Sequence, residues 1–387
     1  MRLRSWIGCE LIRRNARLRG DAVTRRTLLT GAAAGAVIAA GGNAFAKQAG
    51  DCDRLRSVLI GHRSIVSSAA FSPDAQQIVT ASYDTTARLW NAATGAGLNV
   101  LNGHTDAVYS ASFSPDGKRI VTASTDGTAR LWDALGGSVK VLLEGRGIVR
   151  DATFSAHGRW LATISDDNLA RIWDARAGEA LSTLAGHTGG LTCAAFSGDG
   201  RRIVTTSYDA TARLWDVGTG ATLALLEGHQ GPVWSAALSP DGMQIVTASM
   251  DKRVRVWNGQ TAAEEAVLDR HKDQVLAAGF SPDGRSIVTA SLDGTARVWD
   301  AATGASVAVL QGHAGGVLAA SFSPDGRQIV TASSDRTARL WRATTGDLVA
   351  VLEGHDRPVV STAFSSDGRR VVTASDDGTA RIWDTRP

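Results

Sequence analysis

His313, Ser333 and Asp335 are residue types that a hydrolase would use, and they lie within one stretch that closes on Trp341. A Ser nucleophile, a His base and an Asp that orients the base are the parts of an acyl-transfer site. The same types recur at the same spacing: His62–Ser82–Asp84–Trp90, His104–Ser124–Asp126–Trp132, His187–Ser207–Asp209–Trp215, His229–Ser249–Asp251–Trp257, His271–Ser291–Asp293–Trp299, His313–Ser333–Asp335–Trp341 and His355–Ser375–Asp377–Trp383. Ser165, Asp167 and Trp173 form one more set, with Arg146 where the His is expected. Acyl transfer needs one activated Ser, one oxyanion hole and one cleft. Equivalent copies spread along a chain supply none of these, and there is no G-x-S-x-G elbow. The repetition points instead to a structural task.

The elements that must position these residues are short strands. The recurring Trp are 42 residues apart, except for one step of 41, which defines eight units from residue 55 onward. In the unit ending at Trp341 the strand signals are SVAVL (306–310), GVLAASF (316–322), QIVTAS (328–333) and TARLW (337–341). Gly312-His313, Ser-Pro-Asp-Gly at 323–326 and Ser334-Asp335-Arg336 separate them. Asp-Gly between apolar runs marks a hairpin. The two middle runs are apolar almost throughout, which suits sheets covered on both faces. Four strands per unit at this period argue for a β-propeller with one blade per unit.

The Gly-His and Trp-Asp pairs resemble the WD-repeat family, over residues 55–387. Asp follows the Trp at 133, 174, 216, 300 and 384, while Asn91, Asn258 and Arg342 replace it elsewhere. The resemblance implies that each His, Ser, Asp and Trp set is a buried hydrogen-bonded tetrad tying one blade together. It also implies that the first strand completes the last blade. The fold expected is therefore all-β: an eight-bladed propeller of four-stranded antiparallel blades, closed by strand 56–60 pairing with 379–383. A seven-bladed ring with a displaced terminal unit is the alternative. The Arg two residues before each Trp are expected to be structural, with packed stems and heads at the rim.

Charge separates the ends of the chain. Residues 1–46 hold eight Arg and two acids, a net of +6; the whole chain is +3, which leaves −3 for the rest. That balance gives no nucleic-acid footprint. Arg25 and Arg26 precede a mild apolar run from Leu28 to Ala40, and the small-residue exit Ala44-Phe45-Ala46 follows. This is the order of an export signal, and the paired Arg resemble a bacterial twin-arginine signal. The expectation is a signal over 1–46 cleaved after Ala46, a linker over 47–54, and a propeller over 55–387 in the periplasm or outside the cell. No C-x-x-C pair or His cluster accompanies Cys9, Cys52 and Cys193, so no metal and no cofactor is expected.

Function must lie where the units stop being alike. The resemblance implies that the face bearing the turn Asp surrounds the channel mouth and often binds partners, and two positions per unit should line it. One precedes that Asp, as at Tyr208, Met250, Leu292 and Asp166; the other is in the first strand, as at Arg150, Trp234, Leu276 and Leu318. If exposed, Tyr208, Trp234, Met250, Leu276, Leu292 and Leu318 form an apolar arc of the kind that binds partners, with Trp234 the leading anchor and Arg150 and Asp166 at its flank. The alternative is that these side chains pack across the mouth. The expected function is a non-enzymatic, monomeric scaffold for a protein or peptide, with neither nucleic acid nor membrane as partner. The competing readings are a cytoplasmic regulatory module and, with least support, a periplasmic small-ligand sensor or enzyme using the channel.

Overall fold

The computed structural model of the chain describes residues 54–134, 138–143 and 147–386. The proposed export signal, most of the linker, and Arg146 lie outside them. Among the described residues, thirty-two strands form eight four-stranded sheets, and every strand pairing is antiparallel. The expected eight blades are therefore present. In blade 7, β26 (Val317–Phe322) is innermost, followed by β27 (Gln328–Ser333), β28 (Ala338–Arg342) and the outer β29 (Leu348–Leu352). The turn between the first two strands is built by Ser323, whose Oγ donates to Asp325 Oδ1 while Asp325 accepts the Arg327 N–H at 3.0 Å.

Closure follows the expected register within a residue. Strand β1 (Leu55–Leu59) pairs with β32 (Ala380–Asp384), setting Leu55 opposite Trp383 and Leu59 opposite Ala380. Side chains reinforce the seam. Buried Arg54 donates to the Thr385 carbonyl at 2.6 Å. Arg370, on the last blade, reaches the Ala92 and Ala75 carbonyls of the first at 2.8 and 2.7 Å.

The core lies between blades. One apolar cluster joins Val288, Ala290, Val298 and Leu310 of blade 6 to Val317, Ile329 and Trp341 of blade 7. Another joins Val372 and Ile382 of blade 8 to Val66, Phe71 and Trp90 of blade 1. Both faces of each inner strand are covered, so β27 is buried along nearly its whole length. The small Ala and Ser side chains let the sheets approach.

The Gly of the Gly-His pairs lies close against the repeated Arg. Gly312 has φ +155°, and a Cβ there would sit 2.5 Å from Arg339 Nη1. The same collision would occur between Gly61 and Arg88, and between Gly354 and Arg381. The repeated Arg is therefore structural, as expected, but its guanidinium lies over the Gly-His backbone.

Candidate functional site

The tetrads take a definite chemical order. His62 Nδ1 is 2.8 Å from Asp84 Oδ2, its Nε2 is 2.8 Å from Thr80 Oγ1, and Trp90 Nε1 donates to that same hydroxyl at 2.8 Å. Because an indole N–H can only donate, the Thr hydroxyl accepts it, and because a carboxylate can only accept, His62 Nδ1 donates to Asp84. With its proton on Nδ1 facing the Asp, a neutral imidazole in this arrangement accepts the Thr hydroxyl proton at Nε2. Thr122, Thr205, Thr247, Thr289, Thr331 and Thr373 hold this place in the other His-containing blades.

This corrects the expected tetrad. Ser82, Ser124, Ser207, Ser249, Ser291, Ser333 and Ser375 do not link His to Trp. Each accepts the N–H of its turn Asp and donates to a carbonyl of the preceding loop, as Ser333 does with Asp335 at 3.1 Å and Gly315 at 3.2 Å. Thr and Ser are two residues apart and share one strand face. The Thr is closer to the Trp on the neighbouring strand, whereas the Ser sits at the strand end beside the turn.

Electrostatics fit this order. Burial holds the imidazoles of His104, His187, His313 and His355 below their usual value, which favours the neutral form. Burial pushes the carboxyls of Asp84, Asp126, Asp209, Asp251, Asp293, Asp335 and Asp377 up, but donors outweigh it. The His313 N–H and Thr337 hold Asp335 well below the carboxylate range, and His229 with the Gln230 N–H brings Asp251 to about 2. In blade 3, Arg171 Nη2 contacts Asp167 Oδ2 at 2.9 Å, at the oxygen a His would hold, while Trp173 keeps its bond to Thr163 at 3.0 Å.

At the channel mouth, each innermost strand carries a β-bulge at one position: Ser67, Tyr109, Arg150, Thr192, Trp234, Leu276, Leu318 and Val360. A bulge re-aims a side chain. Val317 thus enters the interblade core while Leu318, next to it, joins a separate cluster at the mouth. That cluster is Trp234, Leu276, Leu318 and Val360, with Ile65, Tyr83, Tyr208, Met250 and Leu292 packed against it. The exposure on which the apolar arc depended does not hold for Trp234, Leu276 and Leu318, whose relative exposures are 2%, 0% and 0%. They form a plug. Tyr208, Met250 and Leu292 are only half-buried and keep a solvent-facing side. The Tyr208 ring meets Trp234 edge-on at 5.3 Å. Arg150, itself buried, pairs through two nitrogens with Asp166 and lies 5.4 Å over the Tyr208 ring. In blades 5 to 8, adjacent apolar residues such as Val233-Trp234 and Val275-Leu276 are the sequence trace of these bulges.

The model of the WD domain, G-beta repeat, matches residues 53–91, 95–133, 137–174, 178–216, 220–258, 263–300, 304–342 and 346–384, one match per blade. The chain belongs to the WD-repeat family. Propellers of this family are commonly protein-interaction scaffolds and typically lack catalysis. No curated protein matches the chain. Among solved structures, the computationally designed Ika8 protein is similar at 28% identity and a TM-score of 0.77, over 86% of this chain and 99% of that one. In all, 1925 chains of solved structures match, so structural likeness alone singles out no partner.

Proposed function

We propose that this WD propeller is a non-enzymatic scaffold that seats a protein or peptide partner on its channel-mouth face. Tyr208, Met250 and Leu292 form the contact surface, Arg150 and Asp166 flank it, and Trp234, Leu276 and Leu318 support it from beneath. The carrying observation is that the blades share their tetrads, turns and interblade cores but differ at the mouth, where half-buried apolar residues fall in three consecutive blades. A rigid plug under such residues keeps them from collapsing inward, so little ordering cost is left for binding. The paired variant Met250→Asp, Leu292→Asp should retain its melting temperature within a few degrees and lose its partner in a pull-down from the native host. Undiminished partner recovery by a folded variant would refute this placement.

The partner belongs to the cell envelope if residues 1–46 act as an export signal, and the paired Arg25-Arg26 and the Ala44–Ala46 exit support that reading. Intact mass should then identify a periplasmic species beginning at Lys47. A full-length species confined to the cytoplasm would overturn export and favour a regulatory module.

A further inference from the structure

The mouth face is electrically divided. Lys252, Arg253, Arg270, Lys272 and Arg336 are all exposed on the loops and turns of blades 5 to 7. The acids on those same loops are fewer: Glu227, Asp269, and Asp273, whose carboxylate accepts the Gln274 N–H at 2.8 Å. The turn carboxylates Asp251, Asp293 and Asp335 are each taken up by the His and backbone N–H donors of their own blade. On the corresponding loops of blades 8, 1 and 2 the balance reverses. There Arg357 and Arg63 face Glu353, Asp356, Asp376 and Asp106. Blade 4 carries no free charge on this face.

The basic sector coincides with the apolar one, since Met250 and Leu292 belong to blades 5 and 6. Lys252 and Arg336 occupy the residue after the turn Asp, each at φ +73°, where Gly127, Gly294 and Gly378 stand in other blades. The turns of blades 5 and 7, on either side of Leu292 in blade 6, thus carry long cationic side chains in a backbone position that suits glycine.

We propose that the partner segment is an acidic peptide carrying an apolar anchor. The anchor rests on Met250 and Leu292, and its carboxylates face Lys252, Arg253, Lys272 and Arg336. This rests on the mouth-face reading above and adds the chemistry of the partner. Carboxylates recognised at an exposed rim act through steering and orientation, so the complex should be salt-sensitive.

The test is selection of a displayed random-peptide library on the full-length protein. The selected peptides should be rich in Asp and Glu around a Leu, Phe or Trp. Their binding should weaken about tenfold in Lys252→Glu, Arg336→Glu, a variant of exposed residues whose melting temperature checks its fold, and should fall with added salt. Replacing the anchor by Ala should abolish it. Selected peptides that are neutral or basic, indifference to the charge reversal, or no selection at all would overturn the proposal. If the selected peptides are basic yet still lose binding in Met250→Asp, Leu292→Asp, only the acidic partner fails and the mouth-face reading stands.

Discussion

At the scale of single residues, the tetrad is a directional relay whose every member has one role. Thr331→Val leaves the Trp341 N–H and His313 Nε2 without a partner at a fully buried site, which should cost about 1–3 kcal/mol. The Trp341 indole N–H resonance should shift in that variant and hold still in Ser333→Ala; the opposite pattern would restore Ser333 to the relay. His313→Ala should lower the melting temperature by a comparable free energy without removing partner binding, so loss of binding at unchanged melting would show the His to be functional. Acid should weaken the fold. The folded-state pKa of His104, His187, His313 and His355 lies below the ordinary 6.5, so the unfolded chain takes up more protons as pH drops beneath that value. The depressed turn carboxylates add to the loss nearer pH 4. Unfolding free energy measured from pH 8 to 5 should be level above about 6.5 and decline below it; a rise on acidification would contradict neutral imidazoles.

At the scale of elements, the tight turn after the second strand is strained in some blades. Thr85 has φ +73° where Gly127 and Gly378 have +82° and +83°. A β-branched residue pays a steric cost in that region, so Thr85→Gly should raise stability by about 1 kcal/mol and Gly378→Thr should lower it. Equal and opposite results in thermal unfolding would mean that the Thr85 hydroxyl or packing outweighs the backbone. Strand number, blade number and closure were all legible in the sequence, because each unit carries the same turn residues and the same apolar runs. The bulge was harder to read. It adds one residue inside an apolar run, so Val317 and Leu318 look alike as letters although one enters the interblade core and the other the mouth. For the same reason the burial of Trp234 was not legible, since exposure at a mouth depends on what the facing blades contribute. The Thr of the relay was hidden by the nearby Ser, two residues along the same face and equally regular.

At the scale of the whole molecule, eight near-equivalent blades have one seam, where β1 covers the edge of β32 and Arg54 and Arg370 span the join. Starting the chain after Ile60 would expose that edge, and open edges invite pairing with other chains. Such a protein should unfold at lower temperature and self-associate on size exclusion; an unchanged monomer would show that the interblade core closes the ring unaided. The blades are alike except at one mouth, where Trp234, Leu276, Leu318 and Val360 form a buried apolar cluster. The most direct measurement is photo-crosslinking in the native host from two single positions: Met250, at the mouth, and Met243, exposed on the opposite face. The account predicts a discrete partner adduct from position 250 and none from position 243. Adducts from 243 alone, or from neither position, would contradict a binding site at the mouth.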